Sequence, residues 1–213
     1  MNLSRIKAVV FDCDGVMFDT ALANRKFYDQ VLDHFNKPPL TDAQFIQVHM
    51  MTVKDAVSYL FPEFSDHEPV FRCVKQIGAH NFIQYMEMAK GLKELLTDLS
   101  SSGYIRAVAT NRTDTMPRVL KDFHLTDHFD MVVTAADVTY PKPHPEQLEK
   151  IMARFSLQPD QVLFIGDSVY DQQAARAAGT VFAAFRQPKL DADLHAQAMA
   201  DIAAALGIPD DHR

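Results

Sequence analysis

Five short runs, apolar but for Lys7 and Arg106, constrain this chain more than any other feature. Residues 6–11 end at Asp12, 104–109 at Thr110-Asn111, 131–133 near Asp137, 162–165 at Gly166-Asp167, and 181–185 at Arg186. A strand with one wet face alternates polar and apolar residues. Runs without alternation suit strands buried on both faces, as in a parallel sheet. Helical patterns lie between them. Leu92, Leu95, Leu96 and Leu99 recur at helical spacing, and Gly103 supplies the stop. Further patterns cover 116–123, 146–155 behind Pro145, and the alanine-rich 171–178 closed by Gly179. The alternation predicts an α/β fold, a doubly wound Rossmann-like core around a parallel sheet. Polar chemistry in such folds gathers at the carboxyl ends of the strands. The strand-end residues are therefore expected to share one crevice.

One stretch breaks the alternation. From 18 to 86 only helical patterns appear, over 21–35, 42–47, 52–60 and 70–86, punctuated by Pro38-Pro39 and Phe61-Pro62. The expected organisation is a core segment 1–17, a small inserted helical domain 18–86 over the crevice, and a second core segment 87–213. A chain of 213 residues accommodates that arrangement. Its 47% hydrophobic and 23% charged content exclude a disordered chain.

The net charge of -7 argues against nucleic-acid backbone or anionic lipid as partners. It leaves room for a small anionic substrate, because a metal ion inverts the field locally. No apolar run approaches the roughly 20 residues that span a bilayer. Arg5 and Lys7 precede a run too brief for a signal peptide, so the expected compartment is the cytoplasm. There, Cys13 and Cys73 are expected as free, buried thiols. There is no CxxC and no Cys/His spacing suited to zinc.

Four strand-end segments carry candidate chemistry. In AVVFDCDGVMFDT, a carboxylate at the strand end, Asp12, can attack phosphorus. Asp14 can protonate a leaving oxygen and later activate water, and Gly15 lets the chain turn after the pair. Side chains alternate along an extended segment, so Cys13 is expected to point away into packing. Met17 and Phe18 read as the start of a hinge, lining the entrance or packing within it. In VATNRTD, Thr110 and Asn111 can hold phosphoryl oxygens; alternatively Thr110 caps the next helix. In TYPKPHPE, Lys142 stands between prolines that fix its backbone, either as a cation for the nucleophile and phosphate or as an exposed turn residue. In VLFIGDSVYDQQAARAAG, Asp167 and Asp171 lie one helical turn apart on one face. Such a pair suits a hard cation such as magnesium, or simply an acidic helix N-terminus.

In these four motifs, their order and their strand-end placement, the chain resembles the haloacid dehalogenase superfamily, and its insert resembles the family's small helical cap. The resemblance covers about 1–17 and 87–213. It implies a nucleophile and metal ligand in Asp12, and a general acid/base in Asp14, whose backbone carbonyl binds the metal. Thr110 and Asn111 would bind the phosphoryl group, and Lys142 would orient it and balance charge. Asp167 would bind Mg2+ directly; Asp171 would do so through water or by bracing the site. Dehalogenating and phosphonate-cleaving members lack the second aspartate, so Asp14 points to phosphate esters, whose alkoxide needs a proton. The implied activity is a Mg-dependent phosphatase acting on a small phosphorylated metabolite through an aspartyl-phosphate. The closest rival is a phosphomutase of the β-phosphoglucomutase type, which shares DxDGV and the Asp19-Thr20 pair. GDSVYD with AARAAG looks more like the phosphoglycolate phosphatases. A catalytically idle regulatory protein on the same fold is a third possibility. The insert cations Arg25, Lys26, Lys54, Arg72 and Lys75 read as solvated helix residues. Arg112, standing where lysine often follows Thr-Asn in those phosphatases, is the better candidate for a second anionic group of the substrate.

Overall fold

The structure is a computed structural model and describes residues 3–208. The outermost residues of the two expected core segments, 1–2 and 209–213, lie outside the described residues. Six strands form one sheet: β1 (Ala8–Phe11), β4 (Ile105–Ala109), β5 (Met131–Val133), β6 (Val162–Gly166), β7 (Val181–Phe185) and β8 (Leu194–Ala196). Their spatial order is β5-β4-β1-β6-β7-β8, and every pairing is parallel. The chain moves outward from β1 through β4 to β5, then returns to β6 on the other side of β1. Between β1 and β6 the winding reverses, which is where a doubly wound sheet opens its crevice.

The apolar runs become strands because helices cover both faces. Val9, Phe11, Val108, Leu163, Ile165 and Phe185 face α5 (Leu92–Ser101), α6 (Met116–Asp122) and α9 (Met199–Ala205). Ala8, Val10, Ala107, Phe164 and Ala184 face α7 (Glu146–Phe155) and α8 (Val169–Ala178). Alternate residues of β1 thus enter different cores, and none is exposed. The sequence shows no sign of β8: it has three residues at the sheet edge, one of them exposed, too few to display a period.

Two two-residue strands, β2 (Phe18–Asp19) and β3 (Glu87–Met88), pair antiparallel and bracket the helical stretch. Between them lie α1 (Ala21–His34), α2 (Asp42–Val48), α3 (Val53–Leu60) and α4 (Glu68–Ile77). The single helix anticipated over 70–86 is divided. Gly78 at φ +71° stops α4, and Ala79–Tyr85 continues as a 3-10 helix. Thr41 and Thr52 start α2 and α3 by accepting the Gln44 and Asp55 amides, each at 3.2 Å. Phe61 is buried among Phe35 and Phe64, with ring centroids 5.2 and 5.8 Å away, and the Lys37 ammonium lies 4.6 Å from its ring. Cys13 and Cys73 are free and buried. Among the described residues no helix is long and apolar enough to cross a membrane.

The insert has no sheet to rest on, so its stability depends on this aromatic packing. Phe61→Ala is expected to cost about 3–5 kcal/mol in urea unfolding. Leu22→Ala, at a position 53% exposed, is expected to stay within about 0.5 kcal/mol of the parent. Equal losses in the two variants would contradict the role given to Phe61.

Candidate active site

Parallel pairing delivers four side chains to one point. The Asp12 amide donates to the Ile165 carbonyl (2.9 Å), carrying the β1–β6 ladder one residue into the loop. The Thr110 amide does the same with Val133 (3.0 Å). Beyond β6, Asp167 and Asp171 straddle the start of α8, where Ser168 and Asp171 form a reciprocal cap. The space is tight enough to demand glycine twice. A Cβ on Gly166 would sit 2.3 Å from that of Asp171, and one on Gly15, at φ +79°, 1.9 Å from Asp167 Oδ2.

Lys142 is 4% exposed and sits at the centre of the site. Its Nζ donates to Asp12 Oδ1 (2.7 Å), Asp171 Oδ1 (2.7 Å) and the Ala109 carbonyl (2.9 Å), using all three ammonium protons. Asp171 is wholly buried, and its Oδ2 accepts from the Ser168 amide (3.0 Å) and hydroxyl (2.5 Å). Carboxylate oxygens of Asp12, Asp167 and Asp171 lie within 4.8 Å of one another. Two buried carboxylates, Asp12 and Asp171, thus share one ammonium, with the half-buried Asp167 beside them. Burial, opposed by Lys142 but aided by Asp171 and Asp14, pushes the Asp12 carboxyl up to about 7. Burial and the same neighbouring carboxylates push Asp167 well above its ordinary range. Burial alone would lower Lys142, yet Asp12 and Asp171 raise it. A divalent cation with oxygen ligands answers this excess of negative charge, so the donor set fits Mg2+.

Asp14 has a partner that the sequence did not point to. Its carboxylate turns to Arg112, taking Nε on Oδ2 and Nη2 on Oδ1, both at 2.8 Å. Burial pushes this carboxyl up, but the charge and hydrogen bonds of Arg112 outweigh it and hold Asp14 below the usual range. Arg112, anticipated as a substrate ligand, is therefore engaged within the protein. The Thr110 hydroxyl accepts the Arg112 amide (3.1 Å), a local turn rather than a helix cap. Asn111 Nδ2 donates to the Lys142 carbonyl (3.0 Å) and, at 3.4 Å, to the Met50 carbonyl of the insert. Its buried Oδ1 has no partner among the described residues.

A cavity of about 560 Å³ separates the strand ends from the insert. Asp12, Asp14, Asn111, Arg112, Lys142 and Asp167 form its floor, while Phe27, Met50, Phe82 and Ile83 contribute an apolar roof. Of the insert cations, Lys75 lines it; Arg25 pairs with Asp42, and Lys26 rests over Tyr85. Met17 and Phe18 are buried away from it. Burial raises the Cys13 thiol well above its normal range, consistent with packing rather than reactivity.

Some supports of the site escape a reading of the sequence. Gln147, fully buried on α7, donates to the Thr110 carbonyl (2.8 Å) and fixes the end of β4. His49 takes a bond from Asn24 (3.0 Å) and stacks on Phe45 beside the Asp14–Arg112 pair. Neither residue belongs to a motif. Ser168 was findable, since Ser-x-x-Asp ahead of a helix is a capping signature.

A family model described as haloacid dehalogenase-like hydrolase matches residues 9–185. The pyrophosphatase PpaX of Bacillus mycoides (strain KBAB4) is 28% identical over 177 residues, spanning 83% of this chain and 81% of the relative. The phosphoglycolate phosphatase of Nitrosospira multiformis (strain ATCC 25196 / NCIMB 11849 / C 71) is 31% identical over 185 residues, spanning 82% and 81%. Among solved structures, a HAD-superfamily hydrolase of subfamily IA, variant 1, from Geobacter sulfurreducens PCA is 37% identical. It superposes with a TM-score of 0.77 over 95% of this chain and 97% of its own. The match runs through both core segments and the insert between them, and the chain belongs to the haloacid dehalogenase-like hydrolases.

Proposed function

We propose that this protein is a Mg-dependent phosphatase that cleaves a small phosphorylated metabolite through an aspartyl-phosphate on Asp12. The observation that carries the reading is the buried Asp12–Lys142–Asp171 arrangement, with Asp167 beside it, opening onto the cavity. Relatives named for pyrophosphate and phosphoglycolate support a small phosphorylated substrate. Their hydrolytic names favour hydrolysis over phosphoryl transfer between two positions of a sugar.

In the first half-reaction an Asp12 oxygen bonds to phosphorus, the ester P–O bond breaks, and a proton passes from Asp14 to the leaving oxygen. In the second, Asp14 takes a proton from water, the water oxygen bonds to phosphorus, and the Asp12–phosphorus link breaks to free phosphate. Lys142 holds Asp12 in place and offsets its charge. Thr110 and Asn111 stand at the end of β4, where they can hold phosphoryl oxygens. Asp12 and Asp167, with the Asp14 backbone carbonyl, would hold Mg2+, while Asp171 braces Lys142 and the start of α8. The ion supplies charge neutralisation on the phosphoryl oxygens when bound. Residues 18–86 act as a cap between core segments 1–17 and 87–213, excluding water and shaping the leaving-group side. We place the activity in the cytoplasm, where the free thiols of Cys13 and Cys73 persist.

Asp12→Asn is expected to lower hydrolysis of p-nitrophenyl phosphate by about four orders of magnitude while the thermal transition is kept. Comparable turnover in variant and parent would remove Asp12 from the chemistry. Chelation by EDTA is expected to abolish turnover and added Mg2+ to restore it; full activity in excess chelator would refute the metal role. Gly15→Ala forces the Asp167 carboxylate aside and is expected to cost about a hundredfold in kcat and to raise the Mg2+ concentration needed for half activity. A variant indistinguishable from the parent would show that Asp167 does not need that position. Supplying a hexose 1-phosphate and finding the 6-phosphate, without net release of phosphate, would replace the hydrolase with a mutase.

A further inference from the structure

The cavity over the strand ends is larger than a phosphoryl group and a few atoms beyond it require. At about 560 Å³ it falls among sites that enclose a drug-sized ligand. The insert is seated on the core at this volume, because Asn111 Nδ2 reaches the Met50 carbonyl across the gap (3.4 Å). In-line displacement fixes how that space lies relative to the chemistry. The attacking and leaving oxygens stand on opposite sides of phosphorus. Asp12 belongs to the floor, so the leaving alcohol is directed at the insert.

Every buried insert side chain that lines the cavity is apolar, except for the Tyr28 hydroxyl. Phe27 and Phe82 meet edge to face with centroids 5.6 Å apart, and Val48, Ile83 and Met86 extend the same surface. Met50 is half-buried, and its backbone is tied to the floor through Asn111. A second anion on the substrate would find little to hold it here. Arg112 is closed on Asp14 by two bonds of 2.8 Å, and Lys142 has given its three protons to Asp12, Asp171 and the Ala109 carbonyl. Asn24 and His49 are turned to each other (3.0 Å). Lys75 and His80 line the space only from exposed positions, and Asp114 on the core side repels an anion. A charged leaving group would lose its water against this roof without gaining a partner, whereas a hydrocarbon gains by leaving water.

We propose that the insert selects phosphate monoesters of apolar alcohols, holding the hydrocarbon part of the leaving group against Phe27, Met50, Phe82 and Ile83. The inference rests on the phosphatase reading above and names its substrate class. That class differs from the pyrophosphate and phosphoglycolate for which two relatives are named. An ester with a charged leaving group meets the same nucleophile and the same phosphate cradle, but a roof that offers its charge no partner.

The test compares n-hexyl phosphate with ω-carboxypentyl phosphate, in which a carboxylate replaces the terminal methyl, and with ethyl phosphate, which lacks most of the hydrocarbon. All three leave as primary alcohols, so the chemistry at phosphorus is matched. Release of inorganic phosphate is followed with Mg2+ on the full chain, and p-nitrophenyl phosphate serves as reference. The parent is expected to prefer the hexyl ester over the carboxylated one by at least about tenfold in kcat/KM, and over the ethyl ester by at least about thirtyfold. Met50→Lys puts an ammonium into the roof and is expected to lower the hexyl-to-carboxypentyl ratio by at least about tenfold. Met50→Gln is close to isosteric, keeps the test available should lysine unsettle the fold, and is expected to lower that ratio about threefold. Met50→Leu is expected to keep it within about twofold of the parent. Each ratio compares two esters on one variant, so a general loss of activity cancels. If the parent turns over the aryl ester but treats hexyl and ethyl alike, or favours the carboxylated ester or treats it like hexyl, the inference fails while the phosphatase reading stands. A hexyl preference that neither polar variant alters takes selection away from the roof and overturns the inference as well. Absence of turnover on all four esters removes both readings.

Discussion

The ammonium of Lys142 has three acceptors and three protons, and each acceptor belongs to a different part of the fold. Asp12 comes from the end of β1, the Ala109 carbonyl from the end of β4, and Asp171 from the first turn of α8 behind β6. The loop that carries Lys142 follows β5 and leads into α7. One side chain therefore ties together the ends of three adjacent strands and the helix that begins beside them. It is buried, so its loss would leave two carboxylates facing each other without compensation. The sheet brings the acids close, and Lys142 makes their closeness tolerable.

That dependence explains which parts of the molecule were legible in the sequence. Asp12, Thr110, Asn111 and Asp167 could be placed together because a parallel strand buried on both faces is a continuous apolar run, and its end is visible as the first polar residue. The prolines fix the loop of Lys142 but leave it readable as an exposed turn residue, and only the family resemblance assigned it to the site. The partner of Asp14 could not be read in the same way. A fork between residues 98 positions apart leaves no periodic trace, and the same Arg112 reads equally well as a ligand for substrate. Gln147 lies on the amphipathic α7 and looks like any polar helix residue until its burial is known. The break at Gly78 is a local case: the apolar pattern continues past a residue at positive φ, and backbone geometry overrides it.

The insert and the core are not separate packing units. Val16, Met17 and Phe18 lead directly from the Asp12–Gly15 loop into the apolar interior shared by Phe27, Val31 and Phe82 of the insert and by Leu92 and Met116 of the core. The Phe18 ring lies 4.6 Å from that of Phe123, just beyond α6. The Ala89 amide, on the return path, donates to the Met17 carbonyl (2.9 Å). The short β2–β3 ribbon is therefore anchored on its core side by buried side chains. The ribbon begins at Phe18, three residues beyond Gly15 and so close to Asp14 along the chain.

Charge divides the site into two halves along this line. On the side of β6, Asp12 and Asp171 share one ammonium with the half-buried Asp167 beside them, and the excess is negative. On the side of α6, Asp14 and Arg112 match one to one and line the cavity beneath Lys75. The first half has the donor set to take a cation. The second is already neutral, because the Arg112 fork matches the Asp14 carboxylate. An ordinary lysine in place of Arg112 would supply the same charge without the planar pair of donors that closes on both oxygens of one carboxylate. The arrangement therefore depends on the shape of the cation as much as on its charge.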